Sequence, residues 1–210
     1  MQIVGRDIII SLAIVCIILI IHAKGKNERV ISLYNIGIIL FSLSMVIIFS
    51  LTGISPMSGF HFDIRIDEIS FIPFEGMIEM LQGGITTHSV INIVGNIVMF
   101  MPIGFLIPLL LDKLNLFKNV VFFGFATSLL IELTQLFLIR GTDIDDLILN
   151  TLGAGLGYFL FIIFKTIFSG FTEKIIIESK SVQNKFVLLS RMLVPYIVII
   201  VFGFYDRYIF

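Results

Sequence analysis

Six stretches of this chain stay apolar for about 20 residues at a time, the length an α-helix needs to cross the hydrocarbon core of a bilayer. They fall at 8–23, 30–51, 90–111, 120–139, 146–164 and 186–204, with Arg191 interrupting the last. Lipid offers no partner to a backbone N–H or C=O, so a segment in it must pair its own backbone, which only a helix or a closed barrel achieves. These runs are continuous rather than alternating, so they predict helices. With 58% hydrophobic and 14% charged residues and a mean hydropathy of +1.08, little remains for a separate soluble domain. The expected fold class is all-α: a polytopic transmembrane helix bundle of about six helices.

Orientation follows from lysine and arginine, which are retained on the cytoplasmic side of short loops. With the amino terminus outside, Lys24, Lys26, Arg29, Lys113, Lys118, Lys165, Lys174, Lys180, Lys185 and Arg191 are cytoplasmic, leaving Arg6, Arg65, Arg140 and Arg207 outside. The expectation is a multi-pass cell-membrane protein with both termini extracytoplasmic. The segment 8–21 has the apolar core of a secretory signal, but only Arg6 precedes it and no small-x-small site follows, so a retained first helix is expected. Cys16, the single cysteine, lies inside that run and has no intrachain disulfide partner.

Two connections carry a pattern. In the outer loop, 52–89, Phe62, Ile64 and Ile66 alternate with Asp63, Arg65 and Asp67 in a strand-like period, and the apolar run 69–74 follows. The expectation is a loop dipping into the outer interface or packing over helix ends. Segment 171–185 mixes lysines and glutamates with Ile175, Ile176 and Ile177, which predicts an amphipathic segment along the cytoplasmic interface held by anionic headgroups.

The polar residues of the apolar runs gather at one depth. His88, Asn92 and Asn96 are spaced four apart, on nearly one face of the third helix. Glu132 and Gln135 are neighbours three apart near the outer end of the fourth. Asp143, Asp146, Asn150, Gly153 and Gly157 form one stripe on the fifth, acidic outside and bare glycine deeper in, with Asp145 and Arg140 beside it. A carboxylate in the hydrocarbon region costs a few kcal/mol unless it faces protein or water, so these positions are candidate functional residues. The bland reading is an internally satisfied network, with Arg140 pairing Glu132 or an aspartate and the asparagines bridging helices. The glycines predict close approach of another helix.

At these residues the sequence resembles the VanZ-like family of bacterial membrane proteins. The matching runs are Ile72-Pro73-Phe74, Asn92-Ile93-Val94-Gly95-Asn96, Phe100-Met101-Pro102-Ile103-Gly104-Phe105, Glu132-Leu133-Thr134-Gln135, and the run from Arg140-Gly141-Thr142-Asp143 through Asn150 to Gly153. The resemblance covers 30–168, which divides the chain into an additional first helix at 1–29, a VanZ-like membrane domain at 30–168, and an interfacial segment with a last helix at 169–210. It implies an envelope protein associated, in some members, with lowered sensitivity to teicoplanin and related lipoglycopeptides. Carried over by position, it marks Asn92, Asn96, Glu132, Gln135, Arg140, Asp143, Asp146 and Asn150.

Three mechanisms are compatible with such a layer. A protein that binds or moves an amphiphile in the outer leaflet, whether a membrane lipid, a lipid-linked cell-wall intermediate or a lipoglycopeptide, would use Arg140 on phosphate or carboxylate and the amides as neutral partners. The aspartates would repel an anionic headgroup, so a divalent cation on Asp143 and Asp146 is a supplementary expectation; no other cofactor is expected. An intramembrane enzyme would use Glu132 as acid or base with Asp143 or Asp146, but no nucleophile or zinc motif supports it. Ion or proton coupling through Glu132 would favour broken helices, for which Pro102-Ile103-Gly104 and Pro108 are the candidates. Nothing points to nucleic acid.

Overall fold

The computed structural model describes residues 9–10, 12–21, 32–52, 72–74, 78, 82–84, 86–136, 143–181 and 197. Its helices are α1 (Leu12–Ile21), α2 (Leu33–Leu51), α3 (Thr87–Leu110), α4 (Phe117–Gln135), α5 (Ile144–Ile167) and α6 (Ser169–Ser181), with a 3₁₀ turn at Asp112–Leu114 between α3 and α4. No strand occurs among the described residues. Helices α2 to α5 are each long and apolar enough to cross a membrane. The alternating segment at 62–67 and the expected last helix lie outside the described residues, apart from a helical Ile197.

Local chemistry sets the helix starts. Ser32 and Thr86 stand just before α2 and α3, and their hydroxyls accept from the N–H groups of Asn35 and Ser89, at 3.1 and 3.2 Å. Asp143 caps α5 in the same way, its Oδ1 accepting from the Asp145 N–H at 2.9 Å. Asp145 and Asp146 in the first turn and Lys165 in the last complement the helix dipole.

Packing centres on the α3–α5 pair, the most extensive in the bundle, with α4 against both and α2 against α3. The stripe Gly153 and Gly157 makes this pair possible. A methyl group at Gly153 would fall on the Ile97 carbonyl and one at Gly157 on the Met101 carbonyl; at Gly104 it would fall on the Ala154 carbonyl. The two backbones touch where a side chain would hold them apart. Helix α3 runs as one helix through Pro102 and Pro108, so the interruption that ion coupling would favour is absent there. Membrane helices tolerate proline where neighbouring groups satisfy the backbone carbonyls that it leaves unpaired.

Leu40, Ile47 and Leu51 of α2 and Leu152, Phe159, Ile163 and Ile167 of α5 are exposed. That much apolar surface is at home in lipid, not water. Helix α6 covers most of the segment expected along the cytoplasmic interface. It packs against α2, α3 and α5, burying Thr172, Ile175 and Ser179. The Glu178 carboxylate accepts from the Tyr34 N–H at 2.9 Å, placing a negative charge at the start of α2.

Candidate functional site

The carboxyl ends of α2 and α4 and the amino ends of α3 and α5 meet at one end of the bundle, and the polar residues lie there. Each described carboxylate of this layer has a protein donor. Glu132, 5% exposed on α4, accepts through Oε2 from the Asp143 N–H at 3.1 Å, which fastens the start of α5 to the end of α4. The Asp143 carboxylate caps its own helix. Asp145, 3% exposed, accepts through Oδ1 from the Phe74 N–H at 2.5 Å. Asp146 accepts from the side-chain amide of Asn96, joining α5 to α3.

The amides bridge further. Gln135 donates through Nε2 to the Thr52 carbonyl at 2.7 Å, joining α4 to α2. Asn150, two turns into α5, donates to the Ser128 hydroxyl of α4 at 2.9 Å. Two acceptors are left over: Gln135 Oε1 and Asn150 Oδ1 are buried with no hydrogen-bond partner. Leaving a buried polar atom unmatched costs about 1–3 kcal/mol.

Asn92 is half-buried one turn closer to the helix start than Asn96, and no hydrogen bond engages its side chain among the described residues. His88 lies in the first turn of α3, its side chain outside the described residues, as is all of Arg140. Among the described residues no group of three histidine, cysteine, aspartate or glutamate side chains is placed to hold a metal ion. Burial raises the Asp143 carboxyl above its ordinary pKa, against the lowering effect of the Asp145 N–H bond, and the Asp145 charge adds to the rise.

Three participants escaped the sequence reading as site residues. Ser128 precedes Glu132 by four residues, so a wheel places it on the stripe of Glu132 and Gln135, a signal that was available. The Thr52 carbonyl and the Phe74 N–H are backbone groups, invisible to residue type. Phe74 has φ +68, a conformation that few non-glycine residues adopt, and its carbonyl accepts from the Ile78 N–H at 2.8 Å. The run Ile72-Pro73-Phe74 thus reaches the start of α5, with Ile72 and Phe74 exposed. The expectation that part of the loop packs over helix ends holds there.

A family model described as VanZ/LLP1 matches residues 34–165, which contain every described element of the polar layer. Neither the curated proteins nor the solved structures yield a match.

Proposed function

The chain belongs to the VanZ/LLP1 family, and we propose that it is an envelope membrane protein that binds or moves an amphiphile at the outer leaflet, and so contributes to resistance against teicoplanin and other lipoglycopeptides. Membership makes it a VanZ-like membrane protein of a family linked to glycopeptide resistance; the amphiphile is the added step. The observation that carries it is the polar layer at one end of four apolar helices, which retains unmet hydrogen-bonding capacity beside lipid-exposed faces. A headgroup at that layer and an acyl or prenyl chain along the helices would each meet its own chemistry. Lys113, Lys118, Lys165 and Lys174 lie toward the opposite end, which by the positive-inside tendency turns the polar layer outward. A lipid-linked cell-wall intermediate, a membrane lipid and the tail of a lipoglycopeptide all fit this description.

The alternative, an intramembrane enzyme using Glu132 with Asp143 or Asp146, draws support from the raised Asp143 carboxyl, suited to proton transfer. The geometry favours binding, because Glu132 meets the backbone of Asp143 and not its carboxylate. Wild type, Glu132→Gln and Arg140→Ala, expressed at matched levels in a sensitive Gram-positive host, test the proposal through teicoplanin and vancomycin susceptibility. Protection against teicoplanin alone, lost in both variants, is the expected result. No protection by a correctly inserted wild type would overturn the resistance role. Turnover of a lipid-linked substrate that vanishes in Glu132→Gln would favour the enzyme.

A further inference from the structure

Helix α6 crosses the lysine-bearing end of the bundle, leaving α5 and packing on α3, on the 3₁₀ turn and on α2. Its two ends are held by different chemistry. Where it leaves α5, one non-helical residue, Phe168, separates the two helices. Phe164 braces that bend, its ring packing on Phe168, Phe171 and, across on α3, Phe105, at centroid distances of 4.8, 6.1 and 5.3 Å. At the far end the described tie is polar: Glu178 accepts at 2.9 Å from the Tyr34 N–H, a first-turn donor that α2 cannot pair internally. Between the ends, the buried face of α6 makes little that detachment would spoil. The Thr172 hydroxyl donates to the Phe168 carbonyl at 2.9 Å and the Ser179 hydroxyl to the Ile176 carbonyl at 2.7 Å, so both are satisfied inside the segment that would move. Ile175 is the one buried large apolar side chain of α6 among the described residues. The α3–α5 contact is the opposite case, since it is made backbone against backbone.

We infer that α6 is a releasable strap: it pivots at Phe168, its Glu178 end lifting from α2 while its Phe164-braced end stays in place. Closed, it covers the start of α2, where Tyr34 is 1% exposed; lifted, it uncovers that start and frees one end of α2 to move. Exposed Glu173, Lys174 and Ile177 give the lifted helix both charge for water and an apolar side chain for the bilayer surface. The strap works at the end of the bundle opposite the polar layer, so it goes beyond amphiphile binding and does not depend on it.

The test uses purified full-length protein in lipid nanodiscs, with Cys16→Ala removing the native thiol, and follows the reaction of single cysteines with a water-soluble maleimide. Ser179→Cys reports on the lifting end and Thr172→Cys on the braced end, each rate being referred to that of the same thiol in denaturant. Ser179→Cys is expected to react faster than Thr172→Cys. Adding Glu178→Ala is expected to speed Ser179→Cys by about ten- to a hundredfold, the factor that losing a hydrogen bond to a charged group implies, with Glu178→Gln in between. Thr172→Cys and the thermal unfolding midpoint are expected to stay where they were, which separates a lifted strap from an unfolded protein. A Ser179→Cys rate that Glu178→Ala does not move, or the same acceleration at both cysteines, would overturn the strap and leave amphiphile binding standing.

Discussion

The carboxylate of Glu132 accepts the backbone N–H of Asp143 at 3.1 Å, so the end of α4 and the start of α5 are joined by a charge-assisted hydrogen bond. Glu132 is 5% exposed, and the N–H it receives is one that the helix cannot pair internally.

Replacing the acceptor should therefore grade stability. Glu132→Gln keeps an oxygen for the Asp143 N–H and is expected to cost about 1 kcal/mol, the difference between a charged and a neutral acceptor. Glu132→Leu leaves that N–H unmatched and is expected to cost about 2–3 kcal/mol. Thermal unfolding in a mild detergent should rank wild type above Glu132→Gln above Glu132→Leu; a leucine variant as stable as wild type would show that the bond contributes nothing.

The α3–α5 contact predicts a contrast among glycines. Gly157→Ala places a methyl on the Met101 carbonyl, and because backbone cannot swing aside the helices must part, at about 1–3 kcal/mol. Gly95→Ala meets open space and is expected to be neutral or to stabilise by up to about 1 kcal/mol through helix propensity. The two variants, measured side by side by thermal unfolding, should shift the midpoint in opposite directions or leave Gly95→Ala at the wild-type value.

Asp143 gives a pH dependence with a defined sign. Burial raises its carboxyl in the folded protein, so the folded state holds a proton that the unfolded chain would release. Its contribution is greatest below the ordinary aspartate pKa and is lost as pH rises through the raised value. Asp143→Asn keeps an oxygen to cap α5 and removes the titration. Unfolding midpoints across the acidic range should fall less steeply with rising pH in Asp143→Asn than in wild type; identical slopes would mean that Asp143 does not contribute.

Much of the site was legible because helices impose a period. Asp146, Asn150, Gly153 and Gly157 share a stripe by spacing alone, and the structure puts that stripe to use: Asp146 on Asn96, Asn150 on Ser128, the glycines on the α3 backbone. The pairings themselves were not legible. The described donors to the four carboxylates are backbone N–H groups and an asparagine, and Arg140 lies outside the described residues. Spacing also left open what the apolar side of 171–185 meets, because an isoleucine-rich amphipathic pattern reads equally as a helix on lipid or a helix on protein; in the structure Ile175 is buried against other helices.

The sequence by itself determined the solvent of this protein and its repertoire: apolar runs of membrane length, charged and amide residues gathered toward one end of three helices, and glycines where two helices must touch. Those properties are local, since hydropathy and helical period act over a few turns. Tertiary structure alone decided which polar groups satisfy one another and which are left over. Gln135 meets the Thr52 carbonyl across 83 residues and Asp145 meets the Phe74 N–H across 71. Such bonds depend on how rigid helices stack and on backbone atoms that every residue type shares, so no reading of side chains along the chain could have specified them.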